Sequence, residues 1–427
     1  MFALAVFGVF FAAALGGIPL MFALLLTTVG LIWANGLSHP LESIFLSFIG
    51  GVEPFILIAV PLFIFAGELL SQGGVGKRIV GFAHALLGFL PGGMGVVTVA
   101  SCLMFGGVSG SAIADTAAVG SLTIPTMVRR GYARGFAAAL LAVAGTLALL
   151  MPLSIPFLVY AFISGVSMRQ LSMAGIVPAV MTAAALVAVC IWYGRKTGCD
   201  NGEERASGRE IWHAFVSAGP ALVMPLIIVG GIWSGLFTPT ESAAVAVVYG
   251  LAVSLLLYRD ITWRDLPVLL LNAFQTSAVV MLVIGATGSL AWLLTVEQVA
   301  VQLAAAVKVF ASEQWVFLLL VNIALFLLGI FIEPLPALLL TGPLFIPLAQ
   351  AFGVDLVHLG VVMTANLAIA LYTPPVGGTL FVAARLANAG IGEISRALMP
   401  LMAASITVLL LVTYFPALTR WLPALLR

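Results

Sequence analysis

Apolar residues run along this chain in long blocks, not in the alternations or narrow stripes of a soluble fold. The blocks at about 2–16, 18–35 and 50–71 carry at most two charged side chains each. Crossing the hydrocarbon core of a bilayer takes roughly 20 apolar residues in an α-helix, so these blocks read as membrane spans. A shorter amphipathic piece at 77–90 follows. Next comes an apolar stretch at 92–128 whose middle is rich in glycine and serine, which predicts a helical hairpin. Proline interrupts the apolar run at 131–163, predicting a broken helix, and a further span is expected at 172–194. The same order then recurs at about 213–236, 240–258, 268–294, 297–311, 314–350 (hairpin), 357–384 (broken helix) and 394–418. The expected fold class is an all-α polytopic membrane protein.

The recurrence has a fixed offset. A shift of 222 positions places Gly107 on Gly329, Gly120 on Gly342, Ile124-Pro125 on Ile346-Pro347, Pro152 on Pro374 and Pro178 on Pro400. One ungapped shift that aligns mostly structure-breaking residues argues for an internal duplication. The halves are expected at 1–195 and 212–427, joined by a charged linker at 196–211. Five crossings per half is an odd number, so the second half enters the membrane upside down.

Composition sharpens this picture. Of 427 residues, 63% are hydrophobic and 8% charged, too little charge to keep a soluble protein of this size dispersed. The apolar start at Phe2 lacks a basic leader and reads as a first span. Basic residues gather on the cytoplasmic side of membrane proteins. With the N-terminus outside, thirteen of the 17 Lys and Arg residues fall inside. Only Arg169, Lys308, Arg420 and Arg427 then lie outside, and both termini are expected to be periplasmic. Each half would therefore carry a re-entrant hairpin and a broken transmembrane helix in inverted topology, an arrangement typical of secondary transporters. Cys102, Cys190 and Cys199 have neither paired spacing nor nearby histidines, which argues against a disulfide framework or a zinc site.

Candidate chemistry sits where the helices should break. The first hairpin turns through Gly106-Gly107-Val108-Ser109-Gly110-Ser111-Ala112-Ile113-Ala114-Asp115, the second through Glu333-Pro334-Leu335-Pro336. The broken helices are interrupted at Met151-Pro152-Leu153-Ser154-Ile155-Pro156 and at Tyr372-Thr373-Pro374-Pro375-Val376-Gly377-Gly378-Thr379. Proline has no N–H and clashes with the preceding turn, so each break frees carbonyl oxygens. Together with Ser and Thr hydroxyls these are hard ligands suited to Na⁺. Ionisable residues inside a membrane point to function, yet Asp115 and Glu333 at hairpin tips also suit helix caps. Thr238-Pro239-Thr240-Glu241 fits a helix start. The scattered His84, His213 and His358 fit anchors better than catalysts.

These residues carry a resemblance. Gly107 to Ser121, Thr238 to Ala244, Gly329 to Glu333 and Thr373 to Gly377 occur in order along nearly the whole chain. Together they closely resemble the large membrane subunit (M subunit, DctM-like) of tripartite ATP-independent periplasmic (TRAP) transporters. The resemblance implies a Na⁺-coupled importer in the bacterial inner membrane, for an organic acid such as a C4-dicarboxylate, sialic acid or another sugar acid. Its partners would be a small four-span membrane subunit and a periplasmic substrate-binding protein. It also implies an elevator mechanism, with 92–165 and 314–388 moving against a scaffold and the pieces at 77–90 and 297–311 as interfacial arms.

By the same likeness, Ser109, Ser111, Pro152 and Ser154 correspond to one sodium site. Glu333, Pro334, Leu335, Thr373, Pro374 and Gly377 correspond to the other. Ser109, Ser154 and Thr379 are candidates for contact with substrate. One departure stands out: family members usually have a second proline where Leu153 lies. A stand-alone Na⁺/dicarboxylate symporter is the alternative function. An intramembrane enzyme would need paired aspartates, a Ser/His couple or HExxH, and the chain offers none of these; an ATP-driven pump would need a GxxxxGK[ST] loop, also missing from the sequence.

Overall fold

The computed structural model describes residues 2–34, 36, 39–72, 74–200, 202, 204–310 and 313–425. Among them every regular element is helical. Arg427 and the side chain of Lys308, both used in the charge count, lie outside the described residues.

The chain opens with α1 (Phe2–Leu15), α2 (Leu20–Ala34), α3 (Leu41–Val52), α4 (Ala59–Gln72) and the short α5 (Val75–Leu87). The first hairpin is α6 (Gly93–Ser109) and α7 (Ala112–Arg129). It is followed by α8 (Arg134–Gly145), a 3₁₀ segment (Thr146–Leu150) and α9 (Ile155–Ser164). Then α10 (Met168–Thr197) leads through the linker to α11 (Gly208–Ser234), α12 (Pro239–Leu251) with a π-helical extension (Ala252–Leu257), and α13 (Leu266–Val296). The remainder is α14 (Val299–Phe310), the second hairpin α15 (Gln314–Gly329) and α16 (Pro334–Ala351), α17 (Leu356–Ala370), α18 (Gly378–Ala387), α19 (Ile391–Tyr414) and α20 (Ala417–Leu425). Among the described residues, eight helical stretches are long and apolar enough to cross a membrane.

Several bounds differ from expectation. The apolar block at 50–71 is two elements, because α3 ends at Val52 and the chain kinks at Glu53-Pro54 before continuing through a 3₁₀ turn into α4. Glu53 keeps helical angles and the chain leaves the helix at Pro54, extended at φ −57°, ψ 129°; α3 itself is rich in Ser, Phe and Gly, which dilute its hydropathy. Within the charged linker, α10 continues through Lys196 to Thr197 and α11 begins at Gly208. Ser207 and Glu210 form a capping box there, with Glu210 N–H on Ser207 Oγ at 3.3 Å and Ser207 N–H on Glu210 Oε2 at 2.7 Å. The helix start expected at Thr238 is capped the same way by Glu241.

Adding 222 to the bounds of α7, 112 and 129, gives 334 and 351, the bounds of α16. Residues 44–74, spanning α3 and α4, map onto continuous α13. The Glu53-Pro54 kink therefore falls on Gln275-Thr276, where no proline breaks the helix.

Burial separates the helices into two kinds. In the stretch Arg134–Ser164, 94% of the most apolar window is buried inside the protein, against 33% for Gly208–Ser234. The α8–α9 segment and α17 are thus enclosed by other helices, chiefly α7, α10, α16, α18 and α19, whereas α11 to α13 show wide apolar faces. The peripheral set packs through small residues. Where α3 crosses α13, a side chain on Gly288 would meet Ser47 O at 2.7 Å and Gly51 Cα at 3.1 Å. Ser289 Oγ donates to Ile44 O across the same contact at 2.8 Å. Close backbone approach over glycine is a common way for helices to associate in lipid, where apolar burial gives no preference for protein over lipid tails.

The linker is strapped to the base of the first hairpin. Asp200 accepts from Arg130 Nη1 at 3.0 Å and from the Met94 N–H at 2.6 Å, and its own carbonyl accepts from Gly92 N–H at 2.8 Å. Nearby, Arg130 Nη2 meets His84 Nε2 at 3.2 Å.

Replacing Gly288 with alanine should lower the melting temperature in detergent by several degrees, since overpacking costs ~1–3 kcal/mol. Gly30→Ala, with nothing within 4 Å of the added carbon, should leave it unchanged or higher. Equal behaviour of the two variants would show that the α3–α13 crossing is loose.

Candidate functional site

The first hairpin cannot turn without glycine. Helix α6 ends at Gly110, which has φ +62° in the left-handed region, where residues with a Cβ are strained. Space matters too: a Cβ there would run into Leu153 O and lie 3.4 Å from Ser154 Cα. The tip of the first hairpin therefore rests on the first break, bringing Ser109 and Ser111 beside Leu153 and Ser154. From the peripheral side, Gly67 of α4 backs the same tip, because a Cβ on it would stand 3.2 Å from Ser109 O.

Ser111 is the N-cap of α7, its Oγ accepting from the Ala114 N–H at 3.4 Å. Ser109 Oγ accepts from the Ser111 N–H at 3.2 Å and donates to Asp115 Oδ1 in a short hydrogen bond. Asp115 is fully buried and its other oxygen, Oδ2, has no partner. A buried carboxylate oxygen without a donor costs free energy, so this atom marks a place where positive charge or a donor would be stabilised. The cap on α7 comes from Ser111 and not from Asp115. The family likeness assigned Asp115 to neither ion; its i+6 spacing from Ser109 across a turn was the available signal.

At the first break, α8 tightens into a 3₁₀ segment, and Met151 becomes extended at φ −77°, ψ 155°. Pro152 has no N–H to offer the carbonyl four residues earlier. Ser154 then caps α9, its Oγ accepting from the Phe157 N–H at 3.3 Å. With Leu153 in place of a proline, the break still forms.

The second break is built differently. Helix α17 ends at Ala370, and Thr373 Oγ1 donates back to Ile369 O at 2.8 Å. Gly377 immediately precedes α18, and a side chain there would stand 2.9 Å from Leu371 O, so the chain doubles back over its own carbonyls around Pro374. Thr379 is fully buried and its hydroxyl donates to Leu371 O at 3.4 Å, bracing the loop from inside. At the second hairpin tip Glu333 precedes α16 in extended conformation, its side chain does not cap the helix, and Pro334 takes the first helical position. The carboxylate is exposed to a cleft shared with Ile18-Pro19-Leu20, Leu371, Val376 and Gly378. Gly329 seats the hairpin on α17, where a Cβ would approach Ala370 Cβ to 2.5 Å.

The two breaks meet at the start of α7. Ala112, Leu149, Ala368 and Leu371 form one buried apolar cluster joining the first tip to both interruptions. Farther along α17, Asn366 Nδ2 donates to Asn322 Oδ1 at 2.7 Å, and Asn322 Nδ2 donates to Thr413 Oγ1 at 3.2 Å. His358 closes this polar chain between Thr419 Oγ1 at 2.9 Å and Thr413 O at 3.2 Å. It ties α15, α17, α19 and α20 together as an anchor.

A many-span helical membrane protein with two internally interrupted helices is the class this fold and site define. The sequence matches the family described as "Tripartite ATP-independent periplasmic transporter, DctM component" over residues 7–418, and the chain belongs to that family. It is 36% identical over 440 aligned positions to the C4-dicarboxylate TRAP transporter large permease protein DctM of Rhodobacter capsulatus, covering 100% of both chains. To the sialic acid large permease protein SiaM of Vibrio cholerae it is 35% identical, covering 96% of this chain and 95% of the other. The isethionate TRAP permease DctMQ of Oleidesulfovibrio alaskensis is 38% identical over 96% of this chain, which spans 65% of that relative's length. Among solved structures, the YdaH transporter of Alcanivorax borkumensis shares the fold, with TM-score 0.66 at 14% identity over 95% of this chain and 98% of that one. MtrF of Neisseria gonorrhoeae aligns at TM-score 0.54 and 14% identity, over 90% and 85%.

Because Gly110 has both a positive φ and no room for a side chain, Gly110→Ala should insert normally and yet lose most uptake. Gly165→Ala is the control: it too has a positive φ, +71°, but open space around it. Equal uptake by the two variants would mean that the tip does not need to seat on the break.

Proposed function

We propose that this chain is the membrane permease of a Na⁺-coupled importer, which takes a small organic acid from a periplasmic binding protein and works beside a small membrane subunit. The observation that carries the reading is the first hairpin tip. There a fully buried carboxylate with one unpartnered oxygen, Asp115, adjoins the Ser109 and Ser111 hydroxyls and the Leu153 carbonyl at a helix break. Such a set of hard oxygens beside an uncompensated negative charge suits Na⁺ far better than a softer metal. Ser109, Ser111, Asp115 and the backbone near Pro152 and Ser154 would hold one ion. Glu333, Pro334 and Leu335 with Thr373, Pro374 and Gly377 would hold the other. Na⁺ bound at these sites, moving inward down its gradient together with the substrate, would drive uptake.

The helix bounds repeated at an offset of 222 support two repeats at 1–195 and 212–427, and the odd number of crossings makes them inverted. An elevator fits the division of burial. The enclosed part, 92–165 and 314–388, meets the peripheral helices across a cleft lined by Gly51, Thr287 and Gly288 on one side and Phe162, Leu339 and Pro343 on the other. α5 and α14 are the arms. The relatives named for C4-dicarboxylate, sialic acid and 2,3-diketo-L-gulonate support a carboxylated substrate. The greater length of the DctMQ relative is what fusion to a second membrane component would give. Ser154 and Thr379 are capping and bracing residues as well as candidates for the cavity wall.

Uptake into proteoliposomes, with the partner proteins supplied, should require an inward Na⁺ gradient. Ser109→Ala and Pro374→Ala should lower it at least tenfold without loss of insertion. Equal rates in Na⁺-free buffer would overturn the reading, and normal transport by both variants would reduce the tips and breaks to packing devices. For orientation, Glu204→Cys, on the exposed linker, should react with an impermeant maleimide only from the cytoplasm. Position 202 is unsuitable, since a side chain on Gly202 would collide with Phe89 O. Labelling from the periplasm would reverse the topology.

A further inference from the structure

Beside the two breaks, but outside the residues assigned to either ion, lies a small cavity between the start of the 3₁₀ segment after α8, α10, α17 and α19. Its volume is about 20 Å³, and its polar wall consists of Thr146, Thr182, Tyr372 and Ser405. A cavity needs roughly 10–15 Å³ and two to four polar partners to hold a water molecule.

The donor and acceptor pattern on this wall is uneven. Thr146 Oγ1 donates to Val143 O at 2.8 Å, Thr182 Oγ1 to Pro178 O at 2.8 Å, and Ser405 Oγ to Leu401 O at 3.1 Å. Each of these hydroxyl protons is committed to its own helix, which leaves three oxygens able only to accept. Tyr372 is the converse. Its side chain is 1% exposed, and its hydroxyl, on the same cavity wall as Ser405, meets no group at hydrogen-bond geometry. One buried donor facing three spare acceptors across a gap of this size is a frame for a single molecule that accepts once and donates twice.

We infer that this cavity binds one structural water, which accepts from the Tyr372 hydroxyl and donates to Ser405 Oγ and to one of the Thr146 and Thr182 hydroxyl oxygens. Water fits better than a cation, because only four side-chain oxygens line the cavity and its other side chains, Leu150 and Ala368 among them, are hydrocarbon. Na⁺ held there would lose most of its hydration shell without replacement. The consequence is mechanical. Thr146 opens the segment that unwinds α8 ahead of Pro152, and Tyr372 stands two residues before Pro374. The water would tie both interruptions, one from each half of the chain, to α10 and α19 through one shared hydrogen-bonding centre.

The test is a double-mutant cycle on thermal unfolding of the purified full chain in detergent, without transport as a readout, so it stands whether or not the ion reading holds. Tyr372→Phe and Ser405→Ala each remove one oxygen and leave the packing intact. Each should lower the melting temperature by about 2 °C. The double variant should fall clearly short of the sum, because both groups act through the same molecule. Additive losses, or a Tyr372→Phe protein as stable as the parent, would overturn the proposal. A second arm compares melting in NaCl and choline chloride. Any stabilisation by Na⁺ should survive both substitutions. Its loss in Tyr372→Phe and Ser405→Ala would make the cavity a cation site and equally overturn the water.

Discussion

The backbone of an interrupted helix has to find hydrogen-bond partners away from water, and much of this architecture follows from that constraint. In hydrocarbon an unsatisfied N–H or C=O costs several kcal/mol, so irregular backbone persists only where protein or a polar cavity surrounds it. The helices of this chain obey the rule in their placement. The segment broken at Pro152 is the most enclosed of the long apolar stretches, and α17, which leads to Pro374, is buried from His358 to Ala370. The unbroken α13 lies on the periphery, where a complete i→i−4 ladder needs nothing from its neighbours; α11, also peripheral, contains Pro220 and Pro225, and its Ser217 and Pro220 carbonyls accept from the Tyr258 and Tyr249 hydroxyls, each at 2.8 Å. The kink at Glu53-Pro54 is a milder case: it comes at the end of α3, and a 3₁₀ turn re-forms the ladder within four residues.

Enclosure also explains how the freed groups are managed. Side chains near the breaks serve as local substitutes for the missing helical bonds: Ser154 and Ser111 cap the helices that restart, and Thr373 and Thr379 return hydroxyl protons to Ile369 and Leu371 carbonyls. Glycines let one interruption lie directly on another element. Gly110 on Leu153, Gly329 on Ala370 and Gly377 on Leu371 are contacts that a single methyl group would disturb. What these arrangements leave over is electrostatic: Asp115 with an oxygen unanswered inside the protein, and Glu333 facing a cleft and capping nothing.

Membership of the DctM family gives this geometry its functional setting, and the structure adds physical reasons for individual residues. Arg130, Asp200 and Met94 bind the linker to the base of the first hairpin. The connection between α10 and α11 is thereby held against the ends of α6 and α7.

Much of this was legible in the sequence because the bilayer allows so few solutions. Apolar blocks of sufficient length can only be helices, and proline with serine or glycine marks where two of them break, at Pro152 and Pro374, although Gly342-Pro343 and Pro347 lie within continuous α16. The turns at Gly110 and at Glu333-Pro334 and the breaks at Pro152 and Pro374 were therefore readable from residue type and spacing. Helix α3 was not, because its Ser, Glu and Gly residues dilute the apolar signal and its stability comes from close packing on α13. Nor could spacing alone show that Asp115 bonds Ser109 across the turn, that Tyr372 points its hydroxyl into a gap between four elements, or that Asn322 and Asn366 join. One-dimensional patterns determine where backbone must bend. Which side chains then meet depends on how the bent pieces cross, and that is set by contacts between residues hundreds of positions apart.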